Sequence, residues 1–437
     1  MIYIISHKGG SFMERNSETY KSYVQILEEE LIPAMGCTEP IAIAYAAAKA
    51  REVLSEDVRN VLIEVSGNIL KNVKSVVVPN TGGLRGIPAA AAVGIVAGNS
   101  DRELEVLASI TPEEIEKTKT FLETVPITVK FADTPHIFDI MVTLEGEHST
   151  AFVRIAEHHT NIVTIKRNDN VLFEKEIIPQ KNGFTDREIL NIEDIITFSE
   201  NVDLEDVREV LLRQTECNMA IAEEGIRGDY GANIGSTLLM LSPHDTFQKM
   251  RAFAAAGSDA RMNGCEMPVI INSGSGNQGI TASVPVIVYA REKGFGEEEL
   301  LRALCVSNLV TIHLKSGIGR LSAYCGVVSA ATGAASGIAF IEGGRYDTIA
   351  HTIVNSLAMD SGIICDGAKA SCAAKIASAV DAGILGLMMY KNGNQFLSGE
   401  GLVAKGVENT IRNIGSLARN GMSETDKEII RLMLTIG

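Results

Sequence analysis

The sequence predicts an α+β protein, with a large, predominantly helical domain and a smaller mixed α/β sheet domain inserted after the N-terminal helices. Three observations carry that expectation. Residues 17–57 read as two helices, residues 58–180 contain a cluster of short β-branched or alternating stretches, and residues 186–437 carry long helical patterns rich in Ala and Gly. At 437 residues and 46% hydrophobic composition, the chain is long and apolar enough for large cores and two or three domains.

The first helix is expected from Ser17 to about Glu30, where Tyr20, Val24, Ile26 or Leu27 and Leu31 recur at helical spacing and Pro33 stops or bends the run. Thr38 is placed to cap a second helix, with Pro40 near its start where a missing N–H costs little. Strands are expected at 61–65 and 76–78, then the turn Asn80-Thr81-Gly82-Gly83 and a small-residue helix over 88–97. Helices over 103–108 and 112–123 precede strands at 127–131, 137–144, 149–157 and 162–166. The polar segment 179–183 reads as a linker. Beyond it, helices are expected over 204–222, 245–256, 297–314, 321–341, 346–358, 370–389 and 409–436. Residues 321–341 carry no formal charge and are long enough to span a bilayer, but they are mostly Ala, Gly and Ser, which favours close helix packing over membrane insertion.

Charge excludes some functions. With 39 basic and 55 acidic residues the formal balance is −16, so the net field repels nucleic acid and anionic membrane. The opening Met1-Ile2-Tyr3-Ile4-Ile5 lacks the basic segment and long apolar stretch of a secretory signal and is expected as an extension ahead of the first helix. Seven cysteines spread over the chain are too sparse for a disulfide scaffold and suit a reducing, cytoplasmic setting.

The local feature richest in chemistry is Cys365-Asp366-Gly367-Ala368-Lys369-Ala370-Ser371-Cys372, a Gly-containing turn that leads a second thiol into a helix. Its spacing fits neither C-x-x-C redox chemistry nor a zinc knuckle. Cysteines from distant segments can still converge on a soft metal or an iron–sulfur cluster, and the plain alternative is ordinary buried thiols.

Five motifs in order decide more than any one of them. Ala34-Met35-Gly36-Cys37-Thr38-Glu39-Pro40, His159-Thr160-Asn161, Ser258-Asp259-Ala260-Arg261-Met262, Asn272-Ser273-Gly274-Ser275-Gly276-Asn277-Gln278-Gly279 and Ile364-Cys365-Asp366-Gly367 resemble the serine-dehydratase-like family that includes the L-cysteine desulfidases. The resemblance runs from about residue 20 to the end. It implies cleavage of L-cysteine to pyruvate, ammonia and hydrogen sulfide, with a [4Fe-4S] cluster and no pyridoxal phosphate. It also implies that Cys325, Cys365 and Cys372 hold irons, and that Cys37 is either a further ligand, in place of Cys372 or beside it, or a catalytic thiol near an open iron. Cys217, Cys265 and Cys305 are left as structural thiols.

An open iron acts as a Lewis acid toward a carboxylate and a β-substituent while a protein base removes the α-proton. The resemblance places His159 as a substrate contact or proton shuttle. The loop bearing Asn272, Ser273, Ser275, Asn277 and Gln278 offers short donors for a small carboxylate, and Arg261, Thr81 and Gly82 are further substrate candidates. Without a Lys-Ser/Thr pair the loop is not a P-loop, and it lacks the dinucleotide fingerprint. His313 and Lys315 lie near the cysteine-bearing run without a role that spacing assigns. Competing readings are an L-serine or related dehydratase, a non-catalytic amino-acid or thiol sensor, and a scaffold. A homodimer is the expected assembly.

Overall fold

The computed structural model describes residues 13–35, 38–177, 185–319 and 322–435. The opening extension and the 179–183 linker expected from sequence lie outside them. Ser17 accepts a hydrogen bond from the Tyr20 N–H at 3.2 Å and starts α1 (Glu18–Glu30). This helix buries Tyr20, Tyr23, Ile26 and Leu27 in the helical core, with both tyrosine rings against Phe198. After β1 (Pro33–Met35), α2 (Thr38–Leu54) goes elsewhere. Its alanines and isoleucines are buried on nearly every side within the core of the sheet region. Of the residues 17–57 expected to pack with the helical part, those of α1 lie in the helical core and those of α2 in the core of the sheet region. An Ala-rich helix has no bulky stripe to betray which core it joins.

The sheet region runs β2 (Asn60–Val65), α3 (Gly67–Val73), α4 (Gly86–Ala97), α5 (Pro112–Thr124), β3 (Ile127–Phe131), β4 (Asp139–Glu145), β5 (Thr150–Ala156), β6 (Ile162–Arg167) and β7 (Asn170–Glu174). Its strand order is β3-β2-β4-β5-β6-β7, with only β2 and β3 parallel. Val61, Ile63 and Val65 are fully buried and face Leu144, Val142 and Ile140 across the ladder. A slip of one residue would turn all of them to the opposite face, so this alternation sets the register. Each such side chain contributes roughly 1.5–3 kcal/mol of transfer free energy. Two expected elements differ. Residues 76–78 supply only a single bridge, Val77 to Arg85, because Pro79 and the left-handed Asn80 (φ 60°) turn the chain. Residues 103–108 give way to a short 3₁₀ helix over Ser100–Glu105. The exposed β7 was not expected, since its Asn and Asp flanks read as a turn.

The helical region comprises α6 (Ile192–Asn201), α7 (Arg208–Arg227), α8 (Ile234–Leu241), α9 (Thr246–Met262), β8 (Pro268–Ile270, antiparallel to β1), α10 (Gly276–Lys293), α11 (Glu297–Ile318), α12 (Gly326–Ile341), α13 (Tyr346–Asp360), α14 (Cys372–Lys391), α15 (Val407–Ser416) and α16 (Ser423–Thr435). A π-helical turn over Leu417–Gly421 divides the helix expected over 409–436. Sequence patterning missed α10, which carries Pro285 inside it and begins in the Gly/Ser loop. The uncharged 321–341 stretch forms the 16-residue α12, buried among α10, α11 and α14. A side chain at Gly333 would place its Cβ 2.4 Å from the Ser307 carbonyl, so small residues there let α11 and α12 touch backbone to backbone. Among the described residues α14 alone is long and apolar enough to cross a membrane, and its most apolar window is 56% buried inside the protein, as in a core helix.

Candidate active site

Short backbone pairings bring Cys325 and Cys365 together, with Cys372 close to both. Cys325 N–H donates to Ile363 O at 3.0 Å, Cys365 N–H donates to Ala323 O at 2.6 Å, and Tyr324 bridges Ile364. This pairing sets the Cys325 and Cys365 thiols side by side, hydrogen-bonded to each other. Cys325 is the N-cap of α12, and Cys372 is the first residue of α14, with its Sγ 3.5 Å from Gly367 O. Gly367 itself has φ 92°, and a Cβ there would fall 1.9 Å from the Lys71 carbonyl. Only glycine lets the loop lie flat on α3.

Lysines surround these thiols in an otherwise acidic chain. Lys71 is buried and ion-paired with Asp426. Lys369 and Lys375 share Asp366, and Lys375 also donates to Ile364 O at 2.8 Å. Lys315 projects from the last turn of α11 toward Cys325 and Cys365, donating to Gly319 O at 2.6 Å. A hydrogen bond from Cys325, the positive charges of Lys71 and Lys369 and the Gly367 N–H outweigh burial and hold the Cys365 thiol well below its ordinary range. Cys325 moves the opposite way, because it donates to Cys365 and is buried. Burial raises Cys372. The remaining thiols differ in kind. Burial pushes Cys305 up to about 12 and raises Cys217, and Cys265 is buried as well. Cys37 lies outside the described residues.

The loop before α10 divides its duties. Asn272 is fully buried and donates to Asn308 Oδ1 at 3.0 Å, while Asn308 donates to Gln214 Oε1 at 2.8 Å. Ser273, in a left-handed conformation, donates to Asn272 Oδ1, and Ser275 is the N-cap of α10. Arg261 donates to Asn277 Oδ1 at 3.4 Å. Gln278 lies against Gly326, next to Cys325, and its buried Oε1 has no donor among the described residues. Gln278 is thus the member of this loop packed beside the thiols, whereas Asn272 is spent on the fold. Thr81 is buried and donates to Val78 O, and Gly82 is left-handed. Their turn meets the end of α9, where Arg85 donates to Asn263 Oδ1 at 3.3 Å. Asp259, from the Arg261 motif, accepts the Gly235 N–H at 2.8 Å and caps α8.

His159 is set from the sheet side. Glu157 (φ 69°) turns the chain after β5, held by His136 at 2.6 Å and by its own N–H on Phe138 O. The His159 ring packs edge-on to Phe138 and its Nε2 is 2.9 Å from Thr38 Oγ1. Burial lowers its pKa against the opposing charge of Glu39, which favours a neutral imidazole. Glu39 accepts from Asn72 at 3.2 Å, and Lys71 beside Asn72 carries the Gly367 loop. Helix α3 therefore links the histidine corner to the cysteine loop. His313 is engaged by Glu408 at 2.8 Å. Lys71 escaped sequence reading because it lies far along the chain from the thiols, and Lys315, ten residues before Cys325, was placed near them without a role. Lys369 and Lys375 lie within ten residues of Cys365 and left a local signal.

The donor set fits an iron–sulfur cluster. Among the described residues no three His, Cys, Asp or Glu side chains close around a single ion. A cubane presents a separate iron to each thiolate, and thiolate matches iron in softness. Three thiols with cationic neighbours meet those demands.

A chain with this helical thiol site and histidine-bearing sheet falls in a recognised class of lyase. Residues 101–431 match the family described as serine dehydratase alpha chain, and the chain belongs to that family. It is 59% identical over 424 residues to a UPF0597 protein of Desulfitobacterium hafniense, covering 97% of this chain and 99% of that one. It is 50% identical to a UPF0597 protein of Lachnoclostridium phytofermentans over 95% of this chain and all of that one. A Treponema denticola UPF0597 protein is 46% identical over 97% of this chain and all of that one. Family membership supports a dehydratase-like enzyme of amino-acid catabolism.

Proposed function

We propose that this protein is an L-cysteine desulfidase, eliminating hydrogen sulfide from L-cysteine and releasing pyruvate and ammonia. The observation that carries the reading is the convergence of Cys325, Cys365 and Cys372 inside a ring of lysines at two helix N-termini. These thiols would hold a [4Fe-4S] cluster, with Cys37 completing the site. When bound, the cluster supplies a Lewis-acidic iron that accepts a thiolate leaving group in place of a pyridine electron sink. Gln278 and the α10 N-terminus border the thiols and orient a small zwitterion, and the lysines offset the negative charge gathered there. His159, kept neutral by burial, takes up a proton near Thr38.

The match to the dehydratase description supports a second reading, elimination of water from L-serine on the same site. Anaerobic reconstitution followed by iron and sulfide analysis, then assay of L-cysteine, L-serine and L-threonine, separates the two. Sulfide release with L-cysteine as the best substrate supports the first; pyruvate from L-serine at higher kcat/KM supports the second. A reconstituted protein without iron would overturn both.

A further inference from the structure

Four lysines ring the thiols, and three have carboxylate partners: Lys71 with Asp426, and Lys369 and Lys375 with Asp366. Lys315 does not. Every Asp and Glu side chain of the chain falls within the described residues, and none of them pairs with Lys315, whose one hydrogen bond among the described residues goes to the Gly319 carbonyl. A helix-terminal lysine normally swings its charge into water. This one is drawn into the fold toward Cys325 and Cys365, yet it is only partly buried and remains reachable. No carboxylate balances this charge, which faces the Cys325 and Cys365 sulfurs, so a further small anion is drawn to it. The Cys365 thiolate is shared with Lys71 and Lys369, so it does not satisfy Lys315 alone. Lys315 thus stands near the thiols with part of its surface open to solvent.

We infer that Lys315 receives the carboxylate of the amino-acid substrate and so selects free α-amino acids over their esters and amides. The inference rests on the reading of this site as an amino-acid lyase. With the carboxylate on Lys315, the β-substituent points toward the thiol site, where the leaving group departs. Lys315 thus acts as a binding and specificity residue, distinct from the proton-transferring His159.

The test uses anaerobically reconstituted full-length wild type, K315M and K315R. Calorimetry follows binding of L-alanine, which has the carboxylate and ammonium but no leaving group, and of L-alanine methyl ester. Kinetics are run on L-cysteine and its methyl ester, with iron content as a control. Wild type is expected to bind L-alanine more tightly than the ester, by about 10- to 100-fold for one charge-assisted contact. K315M should bind both equally poorly, with KM for L-cysteine raised by a similar factor, kcat within about threefold and iron unchanged. K315R should keep part of the preference, and K315Q serves the same comparison should K315M fold poorly.

Retention of the wild-type acid-over-ester preference in K315M or K315Q would overturn the assignment. So would unchanged KM with a collapse in kcat, the signature of a proton-transfer group, or wild type that binds no L-alanine. Wild type that binds L-alanine through Lys315 yet eliminates from no amino acid would overturn the lyase reading alone.

Discussion

In the helical region the candidate ligands stand at helix starts: Cys325 caps α12, Cys372 opens α14, and Cys365 is zipped to the segment before α12. In the sheet region the candidate proton carrier, His159, stands in a tight turn whose backbone is forced left-handed at Glu157. The first arrangement gathers soft donors and positive potential, suited to holding anionic or metal chemistry in place. The second buries a neutral imidazole against α2, suited to moving a proton. Holding and proton transfer are thus assigned to different cores, with α3 as the physical joint between them.

The strongest way to break that division is to change one residue on each side. Cys365→Ala should lose iron and fall to background activity, because the lowered thiolate and its partnership with Cys325 disappear together. His159→Ala should keep its iron and lose about 10²- to 10⁴-fold in kcat, the usual worth of a proton-transfer group. Iron loss in His159→Ala, or full iron in Cys365→Ala, would show that the two cores do not divide the work.

A smaller effect probes the joint. Gly367→Ala must change φ 92° and clear the Lys71 carbonyl, so urea denaturation should show a loss on the order of 1–3 kcal/mol. Incomplete iron loading at equal reconstitution should accompany it. Unaltered stability would mean that the loop does not rest on α3.

The smallest effect separates structural charge from site charge within the helical region. Burial raises Asp259 from 3.8 to about 6, so the folded chain holds a proton that the unfolded carboxylate releases. Its contribution to stability is full at pH below about 4 and is lost as pH rises through about 6. Asp259→Asn, which keeps an acceptor for the Gly235 N–H, should melt a few degrees above wild type near neutral pH. The two should converge in mild acid, and a gap that persists there would contradict the assignment.

Much of the fold was legible because its signals are local. Alternation in β2 and β4, the Ser17 cap and the long periodic runs of α11 and α13 are written within single segments. Helix α10 was hidden by Pro285, and the side taken by α2 by its uniform alanines. The cysteines were legible as a motif, but their electrostatics were not. The charges around Cys365 arrive from α3, α11 and the turn before α14, and no spacing along one segment encodes that meeting. Thr81 and Asn272 show the converse: both lie in polar loops that read as substrate-binding, yet both spend their side chains on neighbouring carbonyl or amide groups.

The most direct test of the central claim is iron and acid-labile sulfide per chain in the anaerobically reconstituted wild type, measured beside Cys365→Ala and Cys305→Ala. The account predicts about four irons and four sulfides in wild type and in Cys305→Ala, and neither in Cys365→Ala. Iron retained in full by Cys365→Ala, or absent from the wild type, would contradict it.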